Sequence, residues 1–222
     1  MPESPSAFAL SGAAEPVARD LLRIGAVALR PADPFTWASG RLSPVYTDNR
    51  LTLSHPDIRR RLTDAFAAVV GRLPEAPGVV AGTATAGIAH AAWLADRLDL
   101  PMAYVRSTPK GHGRGNQIEG RIEPGDGVVL VEDLISTGGS VADAGAAIRG
   151  AGASVDAVVA VFTYGLAESA ETLGAYAVWT LTNLDTLTRV ARADGSLANA
   201  DLATLADWRR DPAAWSRQRG GA

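Results

Sequence analysis

The strongest constraint on this chain is a repeated alternation. Short apolar runs, GVVAG, MAYV, VVLV and SVDAVVAVFTY, are separated by stretches with helical spacing, IAHAAWLADRL and VADAGAAIRGA. A run that is apolar at nearly every position does not suit a strand with one wet face; it suits a strand covered on both faces. Strands interleaved with helices therefore predict an α/β fold with a central parallel sheet flanked by helices. In such sheets ligands bind beyond the carboxyl ends of the strands. The loops after GVVAG, MAYV, VVLV and AVFTY are the places to look for chemistry.

The flanks are less regular. The pattern predicts a first helix over residues 16–29, then an irregular stretch with Pro31, Pro34 and Pro44 and two short strands. A second helix is expected to start near Ser54, with Ser54 as N-cap and Pro56 in the first turn. Ile58, Leu62, Phe66, Val69 and Leu73 then share one face, and Arg59, Arg60 and Arg61 read as a solvated face. The segment from Leu181 to Trp215 reads as two helices, with Trp208 and Trp215 packed. No repeat, heptad run or low-complexity linker divides the 222 residues, so a single domain over 1–222 is expected, with a core at about 54–182 and C-terminal helices at 183–215.

Composition excludes several function classes. A net charge of -3 argues against a chain whose main task is gripping nucleic-acid phosphates. The absence of cysteine rules out disulfides, zinc–thiolate sites and cysteine nucleophiles. No apolar run approaches the roughly 20 residues of a membrane-spanning helix, and the first residues lack the basic start and apolar stretch of a signal peptide. A soluble, cytoplasmic protein with no nucleic-acid or membrane partner is the simplest expectation.

The richest segment is VVLVEDLISTGGS, from Val128 to Ser140. Apolar residues form a strand, Glu132 and Asp133 stand at its carboxyl end, and Ser136, Thr137, Gly138, Gly139 and Ser140 lead into a helix. Glycines let backbone approach a ligand closely. Unpaired N–H groups at a helix N-terminus favour an anion, and hydroxyls add donors. This is a cradle for a phosphate monoester. The neighbouring acids suit sugar hydroxyls or a magnesium-bound ligand. Neither the P-loop pattern nor the dinucleotide fingerprint is present.

A second segment, RSTPKGHGRGNQIEGR, follows MAYV. It interleaves Arg106, Lys110, His112 and Arg114 with glycines and has no apolar anchor, so it reads as a mobile cationic strip able to close over a leaving diphosphate. Of 21 basic residues, Lys110 is the only lysine. One compact ammonium among arginine forks points to a specific task, and His112 adds a proton or a hydrogen-bond donor.

VVLVEDLISTGGS resembles the phosphoribosyl pyrophosphate (PRPP) signature of the type I phosphoribosyltransferases, whose fold is a Rossmann-like parallel sheet with a small N-terminal hood over the base. The cationic segment narrows the resemblance to the orotate phosphoribosyltransferases, and PFTWASGRLSPVYTDNR, GTATAGIAHAA and DWRRDPAAW are similar to segments of that family. The resemblance implies transfer of phosphoribose from PRPP to orotate with Mg2+, in pyrimidine (UMP) biosynthesis. It also implies a homodimer whose cationic loops reach into the partner's site, and a hood drawn mainly from residues 16–53. Residue by residue it implies Glu132, Asp133, Leu134, Ile135, Ser136, Thr137, Gly138, Gly139 and Ser140 as PRPP contacts, with Ser136 also near orotate. Arg106, Lys110 and His112 would meet the diphosphate. Arg106, Lys110, His112 and Asp133 are the implied catalytic group, and Glu119 and Arg121 extend the match.

Four cationic positions common in that family are replaced here, by Ala38, Ala86, Ser107 and the Thr163–Tyr164 region. Arg41 and Arg50 are the candidates to supply the missing charge. His55 and His90 read as structural. A transferase for a purine or uracil, or a non-catalytic PRPP-binding regulator, are the alternative readings of the same signature.

Overall fold

The computed structural model describes residues 8–9, 12–37, 39–108 and 117–222. In chain order the elements are β1 (Phe8–Ala9), α1 (Ala14–Arg23), β2 (Val27–Leu29), β3 (Phe35–Thr36), β4 (Leu42–Ser43) and β5 (Val45–Thr47), followed by a 3-10 turn over Asn49–Ser54. Then come α2 (Pro56–Val70), β6 (Val79–Thr83), α3 (Gly87–Leu98), β7 (Met102–Val105), β8 (Ile118–Glu119), β9 (Gly127–Ile135) and α4 (Gly139–Gly150). The chain closes with β10 (Ser154–Thr163), α5 (Ala167–Leu173), β11 (Val178–Asn183), α6 (Leu184–Ala193), α7 (Asn199–Arg210) and α8 (Pro212–Arg217).

Seven strands make one sheet in the order β1-β11-β10-β9-β6-β7-β8. All neighbours are parallel except the edge pair β7 and β8. Two two-stranded antiparallel ladders, β2 with β5 and β3 with β4, stand apart from it. The expected α/β fold with a central parallel sheet flanked by helices is therefore what forms, with one antiparallel edge strand added.

The continuous apolar runs have the predicted cause. Val129 and Val131 of β9 belong to one buried cluster, shared with α1, α2, α3 and α6, while Val128 and Leu130 belong to a second under α4. Successive strand residues point to opposite faces, so a central strand covered on both sides must be apolar at every step. On α2, Ile58, Leu62, Phe66 and Val69 are buried as the helical spacing requires. Full burial of side chains of this size contributes roughly 1.5–3 kcal/mol each.

Several boundaries differ from the sequence reading. Helix α1 ends at Arg23 because Gly25 adopts a φ of 71°, and Val27–Leu29, read as more helix, pairs with β5. The cap of α2 is His55, not Ser54; Ser54 closes the preceding 3-10 turn, and no side chain bonds at the cap. Strand β9 runs on through Glu132 and Asp133 to Ile135. Helix α5 had no expected counterpart. Residues 181–183 complete β11, and the two C-terminal helices are three. Asp211 caps α8, its side chain accepting from the Ala214 N–H at 2.8 Å, and Pro212 starts it. Arg61 is more than a solvated residue: it grips Asp20 of α1 at 2.8 and 2.9 Å. Arg59 lies over the Trp93 ring at 5.2 Å. Trp208 and Trp215 are buried as expected.

Helix α3 approaches the sheet at a glycine. A Cβ on Gly87 would lie 2.5 Å from the Val131 carbonyl oxygen and 2.6 Å from Thr83 Oγ1. The helix N-terminus is thus pressed against β6 and β9. Gly87→Ala is expected to lose about 1–3 kcal/mol of stability through this overpacking, read as a lower midpoint in urea unfolding with an unchanged slope.

Candidate active site

Strand β9 delivers the two acids into the middle of the sheet. Glu132 is 6% exposed, opposite Ala160 in the register with β10, and its Oε1 accepts from the Asp133 N–H at 3.0 Å. Burial raises its pKa well above the ordinary carboxylate range, and the adjoining Asp133 carboxylate raises it further. Burial raises Asp133 as well, opposed by its hydrogen bond with Glu132 and by the positive charge of Arg50.

The phosphate loop follows directly. Gly138 has a φ of 89° and a Cβ there would lie 2.8 Å from Leu173 Cγ of α5, so both backbone and space require glycine. Gly138 caps α4, its carbonyl accepting from the Ala142 N–H at 3.0 Å. The N–H groups of the first turn have no partner within the helix. Glu132, Leu134 and residues 136–141 line a small open cradle of ≈ 70 Å³. Ser136, Thr137, Gly138, Gly139 and Ser140 therefore stand together as the sequence implied. Ile135 contributes differently: its side chain is buried in the second cluster, and its carbonyl accepts from the Thr163 hydroxyl at 3.0 Å.

Arg106 closes β7. Its N–H donates to the Gln117 carbonyl at 2.9 Å, and Gln117 Nε2 donates back to the Arg106 carbonyl at 2.8 Å. Its guanidinium reaches Glu119 at 3.6 Å. These bonds join the residues that flank the glycine-rich cationic segment at the ends of the edge pair β7 and β8. Lys110, His112 and Arg114 lie outside the described residues. Arg121 pairs with Glu123. Before α3, the peptide between Ala84 and Thr85 is cis.

The N-terminal ladders reach the acids through residues that the sequence pattern did not single out. Asn49 is 1% exposed, and its Nδ2 donates to the Asp133 carbonyl at 2.7 Å. The Tyr164 hydroxyl donates to Thr47 Oγ1 at 3.0 Å. Burial pushes the Tyr164 phenol up to about 12, so it stays protonated. Arg50 forks onto Asp48, Nε to Oδ1 at 2.7 Å and Nη2 to Oδ2 at 3.0 Å, which holds the Asp48 carboxyl below its usual range. The structure separates the two candidate arginines. Both are exposed, but Arg50 follows Asn49, which meets the Asp133 carbonyl, whereas Arg41 lies in the turn whose Gly40 carbonyl accepts from the Ala222 N–H at 3.0 Å. His90 is buried between Phe66 and Trp93, and burial lowers its pKa to about 4.

Among the described residues no group of three or more His, Cys, Asp or Glu side chains is arranged to hold a metal ion. The donor set that exists, Glu132 and Asp133, fits magnesium, which is usually held by one or two carboxylates together with substrate phosphates and water.

A parallel sheet ending in paired acids and a glycine phosphate cradle defines a phosphoribosyl transferase domain, and that family's model matches residues 52–180. Over 208 residues, the chain is 49% identical to an orotate phosphoribosyltransferase of Lactiplantibacillus plantarum, covering 93% of this chain and 98% of that one. The chain belongs to the orotate phosphoribosyltransferase family. It is similar in structure to the orotate phosphoribosyltransferase of Aeropyrum pernix, with a TM-score of 0.69, 32% identity, and coverage of 82% of this chain and 99% of that one. It also resembles the UMP synthase of Leishmania donovani, with a TM-score of 0.73 and 25% identity; the match covers 89% of this chain and 42% of that one.

The raised carboxyls make a signed prediction. A carboxyl whose pKa rises on folding keeps its proton in the folded chain at pH values where the unfolded chain has lost it. Its stabilising share is complete below the ordinary carboxylate range and is lost as pH rises toward the folded value. Ligand-free protein is therefore expected to melt lower as pH climbs from about 5 toward about 8, with a slope of at most about 1.4 kcal/mol per unit for each such group. Glu132→Gln should flatten that decline; equal slopes for the two proteins in thermal melts would reject the assignment.

Proposed function

We propose that this chain transfers the phosphoribosyl group of PRPP to orotate, giving orotidine 5'-monophosphate and diphosphate in UMP biosynthesis. The observation that carries this reading is the pair of acids, Glu132 buried and Asp133 half-buried, beside a glycine cradle at the end of β9, in a chain of this family. In the reaction the bond from the anomeric carbon to the diphosphate oxygen breaks and a bond to the base nitrogen forms. Positive charge develops on the ribose and negative charge on the leaving diphosphate.

The proposed roles follow from that charge flow. Residues 137–140 receive the ribose phosphate through N–H and hydroxyl donors. Glu132 and Asp133 accept the ribose hydroxyls, Leu134, Ile135 and Ser136 complete the PRPP contacts, and Ser136 also meets orotate. Arg106, Lys110 and His112 meet the diphosphate and offset its growing charge. Bound Mg2+, held by Glu132 and Asp133 together with the substrate, would supply further neutralisation of the diphosphate. The protein's own share is positioning and electrostatic preorganisation.

Further proposals belong to this reading. The chain is a single domain whose hood is built from the two ladders within residues 16–53. It works as a cytoplasmic homodimer with cationic loops shared between sites, without nucleic-acid or membrane partners. Among the described residues no helix is long and apolar enough to cross a membrane.

The deciding assay offers orotate, uracil, hypoxanthine and adenine with PRPP and magnesium. Turnover confined to orotate is expected; turnover with another base and none with orotate would overturn the substrate. RNA or DNA binding without any turnover would favour a regulator. Lys110→Ala is expected to lower kcat on the order of 10²-fold with unchanged folding. Mixing it with Asp133→Asn should restore part of the activity in hybrid dimers if loops cross between subunits, and no recovery would place each loop on its own site.

A further inference from the structure

We propose that Arg50 recognises the carboxylate of the pyrimidine acceptor, exchanging its fork on Asp48 for the ligand. This inference rests on the reading of orotate as substrate and identifies the residue that selects it.

The site poses an electrostatic problem. Its centre holds two acids, Glu132 and Asp133, adjacent on β9, with Glu132 Oε1 accepting from the Asp133 N–H at 3.0 Å. An acceptor that carries a carboxylate of its own is costly to bury there unless a cation stands beside it. Arg50 stands there by construction. Residue 49, its immediate neighbour, donates to the Asp133 carbonyl at 2.7 Å, and Thr47 accepts from Tyr164 beyond the end of β10 at 3.0 Å. The segment 47–50 is thus fastened to the ends of two adjacent sheet strands, and the Arg50 charge is felt by Asp133.

The guanidinium is also free to change partner. Its side chain is 65% exposed, and its fork grips Asp48, itself a carboxylate, in the two-point geometry that a ligand carboxylate would take over. An exposed pair of this kind contributes little to stability, so exchange costs little. In the same segment, Tyr46 is 42% exposed and its ring lies 5.5 Å from that of Phe35, tilted by 39°, offering exposed aromatic surface. Of the other described arginines of the N-terminal ladders, Arg30 is engaged over the Phe35 ring of that pair at 4.8 Å, and Arg41 is in the turn joined to Ala222.

Orotidine and uridine 5'-monophosphates differ by that one carboxylate, so they separate carboxylate recognition from everything else. Titration calorimetry of wild type, Arg50→Gln and Arg50→Lys with both nucleotides is the test, with KM for PRPP measured alongside. In Arg50→Gln, orotidine monophosphate should bind roughly 10- to 100-fold more weakly, the loss expected for a charged hydrogen-bonded pair. Uridine monophosphate binding and KM for PRPP should stay within about 3-fold of wild type, less than one such bond is worth. Arg50→Lys should recover part of the discrimination. Equal weakening of both nucleotides, a parallel rise in KM for PRPP, or an unchanged preference would each overturn the assignment. A wild-type protein that makes no orotidine monophosphate from PRPP and orotate would instead sink the functional reading itself.

Discussion

Two adjacent carboxylates at the inner end of β9 set the terms for everything around them. Burying an acid is costly unless it is protonated or paired, and here neither acid has a buried cation as partner among the described residues. The sheet holds them in place regardless, because β9 lies between β6 and β10 and is paired along both sides. The cost is tolerable because the apolar strand residues before them are buried on both faces. Such a site is poised for a ligand that brings positive charge or hydrogen-bond donors, which is the character of a ribose ring whose anomeric carbon is losing electrons.

The N-terminal ladders and the C-terminal helices converge on the same point. Trp37 stacks on Tyr164 with centroids 6.5 Å apart, and Tyr164 meets the edge of Trp208 at 5.3 Å. Such contacts contribute about 0.5–1.5 kcal/mol each beyond the area they bury. Three rings thus run from the ladders past the end of β10 to α7. Their alignment explains why an α/β core alone is insufficient: the wall facing Asp133 is held by segments from both ends of the chain. Leu173 of α5 plays the matching part on the other side, filling the space above Gly138.

Legibility in the sequence followed the range of the interactions. The core strands and the phosphate cradle were readable because their cause is local: uninterrupted apolar runs, then acids, hydroxyls and glycines in contiguous order. The end of α1 was misread because Val27 and Leu29 continue an apolar spacing that suits a helix and a short strand alike, while Gly25 breaks the backbone between them. Helix α5, at seven residues, is too short to show a period. Asn49 carried no signal at all, since its partner at Asp133 is 84 residues away. Arg41 and Arg50 looked equivalent in one irregular stretch, and only the docking of residues 47–50 onto the sheet tells them apart. Lys110 and His112, singled out by composition and by their glycine-rich context, fall in the span outside the described residues, so their placement in the site remains a proposal.

The distribution of charge that results has a direction. The acids occupy the centre of the sheet, and Arg106 stands at the end of β7, two strands away, or about 10 Å at ordinary strand spacing. Arg50 follows Asn49, which bonds the Asp133 carbonyl from the N-terminal segment. A molecule spanning that gap would meet cations at its two ends and the two acids at its middle. That is the pattern demanded by a displacement with an oxocarbenium-like centre between an anionic leaving group and an anionic acceptor. The arrangement makes most sense as complementarity to charge that exists only while the bond is being exchanged.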